Sequence, residues 1–125
     1  MNIAFGVDVG GTDIKFGMFQ EDGRLLSKWR IPTRIADNGQ RIFDDIAEQL
    51  QDKIKEASLS AEQILGIGCG IPGPVDNQSF VRTCVNLGIT DIYPGEELSK
   101  RMRGLPVRIG NDANVAALGE MWKGS

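Results

Sequence analysis

The stretch Ile3-Ala4-Phe5-Gly6-Val7-Asp8-Val9-Gly10-Gly11-Thr12-Asp13-Ile14-Lys15-Phe16-Gly17-Met18 decides how the chain folds. Ile3 to Val9 is almost continuously apolar and stops at Gly10-Gly11-Thr12, the pattern of a strand buried on both faces that runs into a tight turn. Ile14, Phe16 and Met18 then alternate with Lys15 and Gly17, which predicts a second strand. Asp22-Gly23 is a hairpin signal leading to a third strand over Arg24 to Ile31, closed by Pro32-Thr33. Three consecutive strands joined by short turns make an antiparallel meander.

Beyond the meander the period changes. Ile42 or Phe43, Ile46, Leu50 and Ile54 recur at three- and four-residue steps, with Asp44, Asp45, Glu48, Asp52 and Lys53 between them. This predicts an amphipathic helix, capped by Asp37 or Asn38 and interrupted at Ser58 to Ser60. Ile64 to Ile71 predicts a strand with Gly66, Gly68 and Gly70 on one face and Leu65, Ile67, Cys69 and Ile71 on the other. A glycine face admits either a close-packed helix or a ligand. Ile71-Pro72-Gly73-Pro74-Val75-Asp76 reads as a rigid loop. After a less regular stretch come a short helix from Gly95 to Met102, a strand at Val107-Arg108-Ile109, and a helix from Asp112 to Lys123. The order is βββαβ-αβα: an α/β chain with a mixed five-stranded sheet and helical crossovers.

Composition narrows the function classes. The 125 residues are 41% hydrophobic and 25% charged, with a net charge of −3, which suits a chain with a real core and gives no electrostatic footprint for nucleic acid. The cluster Lys100, Arg101, Arg103 and Arg108 surrounds a predicted helix end and reads as a solvated face complementing the dipole. Two cysteines, Cys69 and Cys84, and no histidine argue against a zinc site in this chain and fit a reducing, cytoplasmic compartment. The longest apolar runs are strand-sized, so no membrane partner is expected.

Two places look like chemistry. Asp8 sits near the end of a buried strand, where a carboxylate needs a metal ion, a lysine or donors from the next turn. An Asp8–Lys15 ion pair holding the hairpin is one solution. The other is a ligand site: Gly10 and Gly11 can present amides to an anion, Thr12 adds a hydroxyl, and Asp8 is a hard oxygen ligand for Mg²⁺. The second place is Gly110-Asn111-Asp112-Ala113-Asn114, at a strand-to-helix junction where α/β folds expose functional groups. Asp112 is a natural N-cap there, and a helix N-terminus also keeps a carboxylate ionised and able to accept a proton. Asn111 could hold a hydroxylated ligand, while Asn114 falls in the first helical turn.

Taken together, GVDVGGTDIKFG, GIGCGIPGPVD with Asn86-Leu87 after it, and VRIGNDANVAALGE resemble the repressor–open reading frame–kinase (ROK) family, from about Ile3 to Gly124. That resemblance implies a ribonuclease-H-like (actin-like ATPase) domain and the activity of a glucokinase-like sugar kinase using ATP and Mg²⁺. It implies that Asp8, Gly10, Gly11, Thr12 and Lys15 form the first phosphate loop, with Asp8 near the metal. Gly73 and Asn111 would bind sugar, and Asp112 would bind it and act as general base. Ile89 stands where family glucokinases often carry a tryptophan, and Pro74 where amino-sugar kinases can carry a polar side chain, so the hexose stays open. The family's second phosphate loop, Glu-x-Gly-His stretch and Cys/His zinc site are absent from residues 1–125, so the chain is expected to be the amino-terminal domain only and inactive alone, with self-association through its bared interface. A sugar-responsive regulator of the same family is the alternative, disfavoured because Met1-Asn2 leads straight into Ile3.

Overall fold

A computed structural model describes residues 2–34, 40–71, 81–84 and 89–110. The central strand is β1 (Ile3–Val9), all seven residues of which are buried. It is flanked by β2 (Asp13–Gln20) and, beyond that, β3 (Leu25–Pro32). β4 (Ile64–Gly70) and then β7 (Val107–Gly110) lie on its other side, giving the order β3-β2-β1-β4-β7. The meander pairs are antiparallel, whereas β1–β4 and β4–β7 are parallel. The five strands expected from sequence are all present in one mixed sheet.

Central position explains the apolar run in β1, because such a strand has neighbours on both edges and cover on both faces. Residues opposite one another across a sheet share a face. Phe5, Val7 and Val9 align with Met18, Phe16 and Ile14 of β2, while Phe5 and Val7 align with Ile67 and Cys69 of β4. This face carries the core, completed by Ile42, Phe43, Ile46, Ala47 and Leu50 of α1 (Gln40–Glu56). Burial of each of the larger of these side chains is worth about 1.5–3 kcal/mol. α2 (Pro94–Arg101) adds Leu98, with Met102 just beyond its end, and packs against α1 and β7.

The opposite face has another character. Ala4, Gly6 and Asp8 align with Gly66, Gly68 and Gly70, so the glycines do share one face, as expected. They are buried too. Edge strand β3 alternates exposed and half-buried residues; Trp29 stacks on Phe16 at 5.1 Å and donates Nε1–H to Gln49 of α1 at 3.0 Å.

Local signals explain the ends. The β2–β3 hairpin turns at Gly23, whose φ of 94° suits glycine, and the Arg24 amide bonds the Asp22 carboxylate. α1 stops where Ser58 adopts φ 55°, within the predicted interruption. The predicted caps Asp37 and Asn38, and the helix expected from Asp112 to Lys123, lie outside the described residues. Two expectations need correction. The irregular stretch contains a separate two-stranded antiparallel pair, β5 (Val81–Cys84) with β6 (Ile89–Ile92). And Arg101 is not on a solvated face: its side chain is 17% exposed and bonds Asp44 and Glu97. Among the described residues no helix is long and apolar enough to cross a membrane.

Candidate functional site

The register places the first motif. Asp8 lies opposite Lys15 on one side and Gly70 on the other; Lys15 lies opposite Arg30, and Gly70 opposite Gly110. Arg30, Lys15, Asp8, Gly70 and Gly110 therefore form one row across the sheet, on the glycine face. The parallel strands β1, β4 and β7 all end at this row, so their carboxyl ends open onto the same edge. Strands are about 4.8 Å apart, which sets Asp8 and Gly110 about 10 Å from one another. Ligands of α/β sheets bind at such carboxyl edges.

Asp8 is 7% exposed, and Lys15 beside it is exposed. Lys15 is the register partner of Asp8 across the β1–β2 ladder. Arg30 reaches Asp13 at 3.6 Å, a solvent-exposed contact of little energetic weight. Cys69, on the neighbouring strand, is fully buried. Burial, and secondarily the charge of Asp8, push its thiol up to about 12, which leaves it protonated and without nucleophilic character near neutrality.

The turn after β1 is tightly specified. The Gly10 amide bonds the Asp13 carbonyl at 2.9 Å. A Cβ on Gly10 would stand 2.8 Å from that same oxygen, so the residue must be glycine for reasons of space. Thr33, just past β3, donates its hydroxyl to the Gly10 carbonyl at 2.7 Å and its amide to the Thr12 carbonyl at 2.8 Å. The Gly10, Thr12 and Asp13 carbonyls are thus consumed inward. The amides of Gly11 and Thr12 and the Thr12 hydroxyl belong to exposed residues and donate to no described group. Donors clustered in this way beside a lysine suit an anion.

Of the residues singled out in sequence, the structure brings together Asp8, Gly10, Gly11, Thr12 and Lys15. Gly73, Asn111 and Asp112 lie outside the described residues, although Ile71 and Gly110, from which their segments depart, are hydrogen-bonded neighbours at 2.9 Å. Sequence reading missed Thr33 as a partner of the turn. The available signal was topological: a strand antiparallel to β2 must finish beside the place where β2 starts.

The ROK family model matches residues 4–125. The chain belongs to the ROK family. Over 96% of its length it is 41% identical to a glucokinase of Halalkalibacterium halodurans. It is 32% identical over 94% of its length to an N-acetyl-D-glucosamine kinase of Haemophilus influenzae, and 31% identical over 99% to a putative xylose repressor of Caldicellulosiruptor sp.. It covers 36%, 37% and 31% of those proteins, so it spans about a third of the relatives it matches. Among solved structures, a ROK family glucokinase of Streptomyces griseus in complex with glucose and AMPPNP superposes with a TM-score of 0.69 at 30% identity, over 99% of this chain and 38% of that one. The mixed sheet is accordingly that of the family's ribonuclease-H-like, actin-like fold.

Proposed function

We propose that this ROK chain is the amino-terminal domain of a sugar kinase that transfers the γ-phosphoryl group of ATP to the 6-hydroxyl of a hexose, with glucose the first candidate. The observation that supports it most directly is the Gly10–Thr12 turn: the amides of exposed Gly11 and Thr12, with no described acceptor, beside Asp8 and Lys15, at the carboxyl edge of three parallel strands. The glucokinase relative and the glucose–AMPPNP complex of the S. griseus enzyme point the same way.

In this reading the Gly11 and Thr12 amides, the Thr12 hydroxyl and the Lys15 ammonium receive phosphate oxygens. Phosphoryl transfer has a loose transition state, so positioning and charge neutralisation supply most of the catalysis. Mg²⁺ suits Asp8, since that ion takes one or two carboxylates and fills its shell with water and phosphate oxygens; bound there, it would neutralise charge on the phosphates. Gly73 and Asn111 hold the sugar. Asp112, following Asn111 at the end of β7, accepts the proton of the 6-hydroxyl as that oxygen bonds to phosphorus and ADP departs. A second domain closes the cleft and excludes water, so the chain alone turns over no substrate.

The repressor and amino-sugar kinase relatives support two alternatives on the same scaffold: a sugar-responsive regulator, and a kinase for N-acetylglucosamine or N-acetylmannosamine. One substitution separates a kinase from a regulator. Asp112→Asn in the full-length protein is expected to cut turnover by at least the 10²–10⁴ of general-base catalysis while sugar affinity stays within about threefold. Near-normal turnover in that variant rejects the assignment, and comparing glucose with N-acetylated hexoses as acceptors sorts the two kinases.

A further inference from the structure

The peptide group is planar and trans, so the carbonyl of one residue and the amide of the next point in opposite directions. Fixing the Gly10 carbonyl therefore aims the Gly11 N–H, and fixing the Thr12 carbonyl aims the Asp13 N–H. Both carbonyls are fixed by one residue, Thr33, through its hydroxyl at 2.7 Å and its amide at 2.8 Å. The hairpin itself contributes the Gly10–Asp13 bond at 2.9 Å. Thr33 is in turn followed by Arg34, whose Nε and Nη2 meet the two carboxylate oxygens of Asp45 at 3.0 and 2.6 Å. Asp45 is buried in α1, between Phe43 and Ile46 of the core face. A two-point guanidinium–carboxylate contact fixes orientation as well as distance. The chain just past β3 is thereby tied to the core on one side and to the turn on the other.

We propose that Thr33, held by the Arg34–Asp45 pair, is a positioning residue for the phosphate turn: it sets which way the Gly11 amide faces, anchors the Thr12–Asp13 peptide behind it, and holds both there before nucleotide arrives. The proposal rests on the reading of this turn as a phosphate loop. It adds that the loop's order comes from the residue just past the third strand, 23 residues from Gly10 in sequence. Preorganised donors cost no ordering when the ligand binds, so loosening them should weaken nucleotide binding while sparing the sugar.

The test uses Thr33→Val, which keeps shape and removes the hydroxyl, with Thr33→Ser as the conservative variant. In this chain, ¹⁵N order parameters at Gly11 to Asp13 are expected to fall from about 0.85 toward 0.6 in Thr33→Val, and to recover in Thr33→Ser. In the full-length protein, assayed with MgATP and glucose, Thr33→Val should raise KM for ATP by about three- to tenfold, the range of one lost hydrogen bond. KM for glucose should stay within twofold, and Thr33→Ser should restore the ATP value. Unchanged order parameters in Thr33→Val overturn the proposal, and so does an equal rise in both KM values. A wild type that phosphorylates no sugar, with the order parameters still falling in Thr33→Val, leaves Thr33's hold on the turn standing and removes the kinase reading instead.

Discussion

Gly10→Ala offers a direct test of the turn geometry. The added methyl would lie 2.8 Å from the Asp13 carbonyl oxygen. A carbon–oxygen contact of this kind ordinarily sits no closer than about 3.3 Å, so something must move by about 0.5 Å. The obstacle is backbone, and that same oxygen accepts the Gly10 amide at 2.9 Å. Relief of the clash therefore lengthens the bond that closes the turn. Overpacking of one methyl costs about 1–3 kcal/mol, and the weakened hydrogen bond adds about 0.5–1.5. A loss of about 2–4 kcal/mol is a large share of the roughly 5–15 kcal/mol that holds such a chain folded, and corresponds to a melting temperature lower by about 10 °C.

Urea denaturation followed by circular dichroism measures this loss, and Gly104→Ala supplies the comparison. Gly104 sits at φ +82° with no atom within 4 Å of an added Cβ, so its penalty of about 1–2 kcal/mol comes from backbone strain alone. The two variants should thus differ in kind: Gly104→Ala leaves the amide environment of Gly11 and Thr12 unchanged, whereas Gly10→Ala perturbs it. A Gly10→Ala protein within about 0.5 kcal/mol of wild type, with unshifted Gly11 and Thr12 amide resonances, would refute the packing argument and with it the shape assigned to the turn.

Arg101→Ala should cost about 1–3 kcal/mol, because one guanidinium bonds Asp44 and Gln40 of α1 and Glu97 of α2 and lies over the Phe43 ring; Arg101→Lys should recover less than half, since an ammonium lacks the planar fork. The same variant should flatten the acid limb of the stability curve. Burial opposes ionisation of Glu97, but hydrogen bonds from Arg101 and Lys100 outweigh it and hold the carboxyl below its ordinary 4.5, so its stabilisation is present above that value and lost as pH falls through the folded one. Cys69 predicts the alkaline limb. Its folded thiol keeps its proton up to about 12 while the unfolded thiol ionises near 9, so stability falls as pH rises between the two; urea midpoints across that window should decline less steeply in Cys69→Ala than in wild type.

The sheet was legible because its strands carry unlike patterns. β1 is apolar throughout, β2 alternates, and β4 interleaves glycine with large residues, which respectively mark a central strand, a strand polar on one face, and a strand approached closely. The pair β5–β6 was not legible: Val81-Arg82-Thr83-Cys84 and Ile89-Thr90-Asp91-Ile92 both place two polar residues between apolar ends, so neither alternates as Val107-Arg108-Ile109 does. Arg101 escaped because its charge partner Asp44 is 57 residues away, and local sequence cannot say which face of a short helix meets another helix. Of the candidate site, Asp8 and Gly10 to Thr12 could be found from an unexplained carboxylate followed by two glycines. Thr33 carries no local signal, as a lone threonine after a strand; the antiparallel pairing of β3 with β2 is what points to it.

The mixed topology itself links these residues to function. A wholly parallel sheet would need a long crossover after β1, and the carboxylate of Asp8 would have no hairpin partner in register. The antiparallel return of β2 closes the turn within three residues, places Lys15 beside Asp8, and brings the end of β3 back to brace the turn. A wholly antiparallel sheet would fail differently, since alternate strands would end at opposite edges. Here β4 and β7 run parallel to β1, so the segments that begin with Ile71 and follow Gly110 start beside the Gly10–Thr12 turn. One half of the sheet makes the Gly10–Thr12 turn, and the other delivers two further segments to the same edge. The proposed kinase reading needs both, because phosphate donors and acceptor-binding groups must meet within a few ångströms although they arise far apart in the chain.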